Sequence, residues 1–169
     1  FDAYLAITVA RRLEPQRLSW YEEPVAPTRL ADTTAIQRAV TQRLAGGEFL
    51  FGMDGFAPLC QERAVDVIMP DVKYCGGLLE GRRIATIADR YDVAVSPHNP
   101  SGPVATAASI QLCAGMPNFD ILEHQWNEVP WRGDLVDPPE RFADGVIPVP
   151  ERAGFGIKLN ERLVREHAG

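Results

Sequence analysis

No stretch of the chain approaches the roughly 18 to 20 consecutive apolar residues of a bilayer span, and Lys and Arg form no cluster. With 17 basic and 23 acidic side chains in 169 residues, the formal net charge is −6. That balance argues against nucleic acid or an anionic membrane surface as a partner. Cysteine is scarce: Cys60, Cys75 and Cys113 are an odd, scattered set with no CxxC pair. They read as reduced packing thiols in a cytoplasmic protein. There is no Walker A or GxGxxG loop to cradle phosphate. Ser101 stands in NPSG without a GxSxG elbow, which leaves nucleophilic acyl transfer without a candidate. The chain opens on Phe1, in a helix-like stretch unlike a signal peptide, and the expectation is of a missing front end.

What the sequence does hold is 46% apolar residues, enough for a sizeable core, in a recurring pattern. Five runs each end in a proton-handling side chain: LSWYEE, RLAGGE, VDVIMPD, VAVSPH and FDILEH. The proton-handling residues at or one place before their ends, Glu22, Glu48, Asp71, His98 and Glu123, follow one another at intervals of 26, 23, 27 and 25. Such spacing suggests one repeated unit delivering a polar group per copy to a shared face. Between the runs lie helical patterns: AYLAITVARRL capped by Asp2, with Leu5, Val9 and Leu13 on one face; ADTTAIQRAVTQ capped by Asp32; and 52–64, despite Gly55 and Pro58. Residues 78–91 and 104–114 complete the set.

Alternating strand and helix predict an α/β fold of parallel βα repeats, with VDVIM and VAV apolar enough to be buried on both faces. A closed barrel gathers all its C-terminal strand ends at one mouth, whereas an open sheet concentrates its site at a switch point. Five polar strand ends favour the barrel. The expected division is 1–127, a partial TIM barrel of about five βα units, and 128–169, a loop-rich extension with β-like GVIPV and a short helix near 161–166.

Glu22 and Glu48, on neighbouring strand ends about 5 Å apart if paired, are hard oxygen ligands of the kind Mg²⁺ takes. A helix cap or an arginine partner is the bland alternative for either. Glu23 should point away by strand alternation. Asp71 and His98 on adjacent strand ends make a sharper pair: the carboxylate can hold one imidazole nitrogen and raise the basicity of the other, which builds a general base. Lys73 reads first as a loop lysine with its charge in water and, second, as a further base or an anion contact; Gly76 and Gly77 read as a tight turn, His124 as outward-facing and His167 as solvated.

Taken in order, WYEEP, AGGE, VIMPD with CGG, SPHNPSGP and ILEHQ resemble the enolase superfamily, in its mandelate racemase/muconate lactonizing enzyme-like branch and, within that, the acid-sugar dehydratases. The resemblance covers roughly 1–127, and the tail is similar to that family's return segment toward an α+β capping domain. It implies the C-terminal part of a modified TIM barrel, with Mg²⁺ on Glu22 and Glu48. It also implies that the Asp71–His98 dyad takes the proton α to a carboxylate, while protonated Glu123 hydrogen-bonds the enediolate. Asn99, Ser101 and Glu123 are then the substrate contacts, and a small acid sugar, an aldonate or aldarate, is the substrate of a homo-oligomeric enzyme. A third metal ligand and an opposing acid/base would lie upstream of Phe1. A 2-hydroxy-acid racemase or epimerase needs the same dyad, and a non-catalytic fragment is the reading from another class.

Overall fold

The computed structural model describes residues 1–126 and 128–168. Asn127, where the expected boundary falls, and Gly169 lie outside the described residues. Helix α1 (Ala3–Leu13) is capped by Asp2, whose Oδ1 accepts from Leu5 N at 2.7 Å. It gives way to a 3₁₀ turn at Glu14–Gln16, where Pro15 occupies the first turn. The buried face of α1 is Ala6 and Ala10, while Leu5, expected on the apolar face, is exposed. Strand β1 (Tyr21–Glu22) and helix α2 (Leu30–Ala39) follow. Arg29 stands at the N-cap of α2, and Asp32, expected there, sits in the first turn paired to Arg29 at 2.5 Å.

The remaining repeats are β2 (Leu44–Gly46), α3 (Gly52–Gln61), β3 (Val67–Ile68), α4 (Gly77–Arg90), β4 (Ala94–Val95) and α5 (Pro103–Ala114). The four strands form one parallel sheet in the order β1-β2-β3-β4, so each βα unit lays its strand beside the last. FDILEH, predicted as a fifth strand, is reduced to one parallel bridge, Val95 to Phe119, and 121–126 have no regular structure. In the tail, β5 (Val136–Asp137) pairs antiparallel with β6 (Lys158–Leu159), and α6 (Glu161–His167) follows. GVIPV is no strand; only Val146 makes a bridge, to Ala143. His167 is exposed but stacks on Trp131 at 4.1 Å, and His124 packs on Phe142 at 4.3 Å.

Side-chain alternation gives the sheet two apolar faces. Leu44, Ile68, Val93 and Val95 pack toward the helices with Phe56, Leu59 and Ile84, while Ala45, Val67 and Met69 pack on the other face with Trp20 and Ala94. On α4, Gly81, Ile84, Ala85 and Ala88 form the buried stripe at helical spacing. Helix α5 is buried over most of its surface. Burial pushes the thiols of Cys60 and Cys75 up to about 11 and that of Cys113 up to about 12, so all three are packing groups at neutral pH. Because Ile84 is fully buried between helix and sheet, Ile84→Ala should lower stability by about 2–5 kcal/mol in urea unfolding, whereas an exposed site such as Leu79 should change it little. Among the described residues no helix is long and apolar enough to cross a membrane.

Candidate active site

Register decides which strand-end residues meet. Val67 of β3 pairs with Ala94 of β4, and both point to the inner face. Asp71 and His98 each lie four residues beyond that pair, so they share its level and its parity. The result is a contact of 3.0 Å between His98 Nδ1 and Asp71 Oδ2, with Asp71 1% exposed and His98 9%. A carboxylate oxygen accepts here, so the contact fits the tautomer with its hydrogen on Nδ1 and turns Nε2 away from Asp71. Nε2 stands 3.6 Å from Glu48 Oε2, too long for a hydrogen bond. The Phe49 ring lies 6.0 Å from that of His98.

Asp71 is held from every side. Its Oδ1 accepts from Lys73 N at 2.7 Å, and Lys73 Nζ reaches Oδ2 at 3.3 Å. Lys73, expected to keep its charge in water or to contact an anion, stays partly exposed and pairs with the dyad's carboxylate. The turn that follows Asp71 brings it back, a local fold that strand periodicity does not encode.

Glu22 and Glu48 do not stand opposite each other. Glu22 pairs in register with Ala45, three residues before Glu48, and its Oε2 accepts from Trp20 Nε1 at 2.9 Å. Trp20 and Glu22 share the inner face, two residues apart on one strand. Glu48 reaches the mouth through Gly47, whose φ of +105° breaks strand alternation. Glu23, expected to point away, is turned by its own positive φ of 35° onto β2, where its Oε1 accepts from Gly47 N at 2.7 Å. A methyl group at Gly47 would meet Phe56 at 2.9 Å on top of the backbone strain. Gly47→Ala should therefore cost about 1–3 kcal/mol of stability, read as a fall in melting temperature, and should displace Glu48 as well.

The carboxyl of Glu48 is pushed above its ordinary range, first by burial and then by the charges of Glu23, Glu22 and Glu123, while His98 opposes the shift. Carboxylates from the ends of β1 and β2 and from the irregular segment 121–126 thus act on one another. Among the described residues no three His, Cys, Asp or Glu side chains are gathered as a ready metal cluster. The donors present are nonetheless hard anionic oxygens in mutual repulsion, which a divalent cation such as Mg²⁺ would relieve, so Glu22 and Glu48 fit as part of such a shell.

Glu123 Oε2 accepts from Asn99 N at 3.0 Å. Asn99 is 1% exposed, and both hydrogens of its Nδ2 are used, on Thr106 Oγ1 at 3.1 Å and on the Glu123 carbonyl at 3.0 Å. Ser101 is buried too: its carbonyl accepts from Arg132 at 2.8 Å, and its hydroxyl has no partner among the described residues. Asn99 and Ser101, expected as substrate contacts, are thus buried in the loop after β4, where the Asn99 amide nitrogen and the Ser101 carbonyl are bonded within the protein. The sequence carries no periodic signal for Thr106 or Arg132, whose bond to each other spans 26 residues, and the Arg132 bond to Ser101 spans 31.

Comparison with known proteins matches residues 1–163 to the family described as enolase C-terminal domain-like. The chain is similar to the D-xylonate dehydratase of Haloferax volcanii, at 34% identity over 99% of this chain and 42% of that protein. It is similar to the D-gluconate dehydratase of Thermoproteus tenax, at 33% identity over 99% of this chain and 34% of that protein. The crystal structure of a mandelate racemase/muconate lactonizing enzyme-like protein from Rubrobacter xylanophilus superposes with a TM-score of 0.93 at 37% identity, over 99% of this chain and 43% of that one. The chain thus spans less than half the length of the relatives it matches.

Proposed function

Because the chain belongs to the enolase C-terminal domain-like family, a TIM-barrel-like α/β fold, we propose that it carries the strand-end machinery of an acid-sugar dehydratase. The reaction is a hydro-lyase reaction: the proton α to the carboxylate of an aldonate or aldarate moves to a base, the β-hydroxyl is protonated by the acid so formed and leaves as water, and the enol left behind ketonises to the 2-keto-3-deoxy acid. The observation that carries this reading is the buried contact of 3.0 Å between His98 Nδ1 and Asp71 Oδ2 at the mouth. The naming of two relatives as D-xylonate and D-gluconate dehydratases supports the substrate class.

In this reading Asp71 holds the His98 tautomer, and Nε2 takes the α-proton. Lys73, on the same Asp71 oxygen, holds the carboxylate in place. Glu123, whose Oε2 accepts from Asn99 N, would donate to the enediolate from its other oxygen, a role that requires that oxygen to carry a proton when substrate is bound. Mg²⁺, when bound by Glu22 and Glu48, supplies positive charge to the substrate carboxylate as that group gains charge. Glu23 orders Gly47 and so the approach of Glu48.

The test is to incubate the intact protein with D-xylonate and D-gluconate in Mg²⁺ and to assay for 2-keto-3-deoxy acids. Their formation is the expected result. Epimerised acid with no keto product would replace the dehydratase by a racemase, and return of both acids unaltered would remove them as substrates.

A further inference from the structure

The loop that presents His98 and Asn99 is anchored by a buried cation for which the proposed chemistry has no use. Arg132 opens the 3₁₀ turn Arg132–Leu135 in the tail and is 7% exposed. Its Nε and Nη2 donate to the Glu140 carboxylate at 2.7 and 3.0 Å, and Nη1 also pairs with Glu128. Burial works against the charge, but the two glutamates outweigh it and hold the guanidinium protonated. The rest of the fork is spent on the catalytic loop: Nη1 donates to the Ser101 carbonyl at 2.8 Å and Nη2 to Thr106 Oγ1 at 3.2 Å.

Thr106 is the hub. It is fully buried, and its hydroxyl accepts from both Arg132 Nη2 and Asn99 Nδ2 and donates to the Gly102 carbonyl at 3.2 Å. One donor hydrogen and two lone pairs are all a hydroxyl has, so the group is saturated. Asn99 in turn grips Glu123 twice, by its backbone N on Oε2 and by Nδ2 on the carbonyl. An unbroken path of hydrogen bonds therefore runs from the tail to the Glu123 carboxylate. A buried ion cluster is a poor anchor compared with an apolar side chain of similar size, since desolvation consumes most of its attraction. What only a guanidinium offers is a rigid fork that meets a carbonyl and a hydroxyl at once.

We propose that Arg132 is a positioning residue for the candidate active site, acting through Thr106 and Asn99 to fix the orientation of the Glu123 carboxylate. The proposal rests on the dehydratase reading for the role of Glu123. It makes the tail a part of the machinery rather than a cover.

The experiment uses the intact protein and two variants: Arg132→Lys, which keeps the charge and loses the fork, and Thr106→Val, which keeps the shape and loses the hydroxyl. Hydrogen exchange should show the Asn99 amide exchanging about tenfold faster or more in both, with amides of α4 such as Ala85 unaltered. With D-xylonate or D-gluconate, kcat should fall about tenfold while KM stays within twofold. In a Glu123→Gln background, where the amide retains a donor and residual exchange of the α-hydrogen stays measurable, neither variant should cost anything further. Unaltered protection of Asn99 would overturn the inference, as would the same loss in kcat with Glu123→Gln already present, since a merely structural role persists in that background. Glu123→Gln at wild-type kcat would overturn the reading of Glu123 itself, a different result from either. Should Arg132→Lys fail to fold, Thr106→Val decides the question alone.

Discussion

His98→Asn in the intact protein should slow exchange of the substrate's α-hydrogen with deuterated solvent about a thousandfold, while substrate and Mg²⁺ still bind. Asparagine occupies the place of the imidazole and keeps a polar contact to Asp71, but it has no lone pair that takes a proton at neutral pH. The loss belongs in kcat, because the group acts on the reacting hydrogen and contributes little to ground-state binding. The exchange assay isolates that step even where dehydration does not go to completion. Asp71→Asn should be milder: Nδ1 keeps a neighbour at 3.0 Å, but a neutral one that neither fixes the tautomer nor raises the basicity of Nε2. Wild-type exchange in His98→Asn would place the base elsewhere. Lys73, 3.3 Å from Asp71, is then the next candidate in this chain.

Glu48→Gln should weaken Mg²⁺ binding by ~10–100-fold or more, measured by calorimetry without substrate, and activity should fall with it. The metal-free protein should meanwhile keep its melting temperature or gain a little. Glu48 is half-buried and feels the charges of Glu23, Glu22 and Glu123, and a neutral amide removes one member of that repulsion. Stability and metal affinity therefore move in opposite directions, which a general loss of structure would not produce. Mg²⁺ should raise the melting temperature of the wild type and not that of Glu48→Gln. An unaltered Mg²⁺ affinity would sink the ligand assignment, leaving Glu22 and Glu23 as the carboxylates to examine.

The order of elements was readable because it is local. Apolar runs alternating with helical patterns predicted the order of β1 to β4 and put α1 to α5 within a few residues of their observed spans, and the ends of VDVIMPD and VAVSPH carried Asp71 and His98 to adjacent strand ends. The interval between strand ends brought those two together because each lies equally far beyond a residue pair of the ladder. Where the strand is only two residues long, as in β1, or shrinks to one bridge, as at Phe119, apolar pattern alone overstates the ladder.

What the sequence by itself determined, then, is the succession of βα units and the face on which the polar ends emerge, since periods of 2 and 3.6 follow from the geometry of each segment alone. Register and contact at a distance were decided only by the tertiary structure. Periodicity says which side a residue takes but not which residue of the next strand lies beside it, so Glu22 fell level with Ala45 and not with Glu48. Positive φ at Glu23 and Gly47 turned two side chains against strand alternation. The burial of Asn99, and the bonds that join it to Glu123 and, through Thr106, to Arg132, link segments dozens of residues apart. No local pattern encodes such partners, because the free energy that selects them arises only when the chain has folded around them.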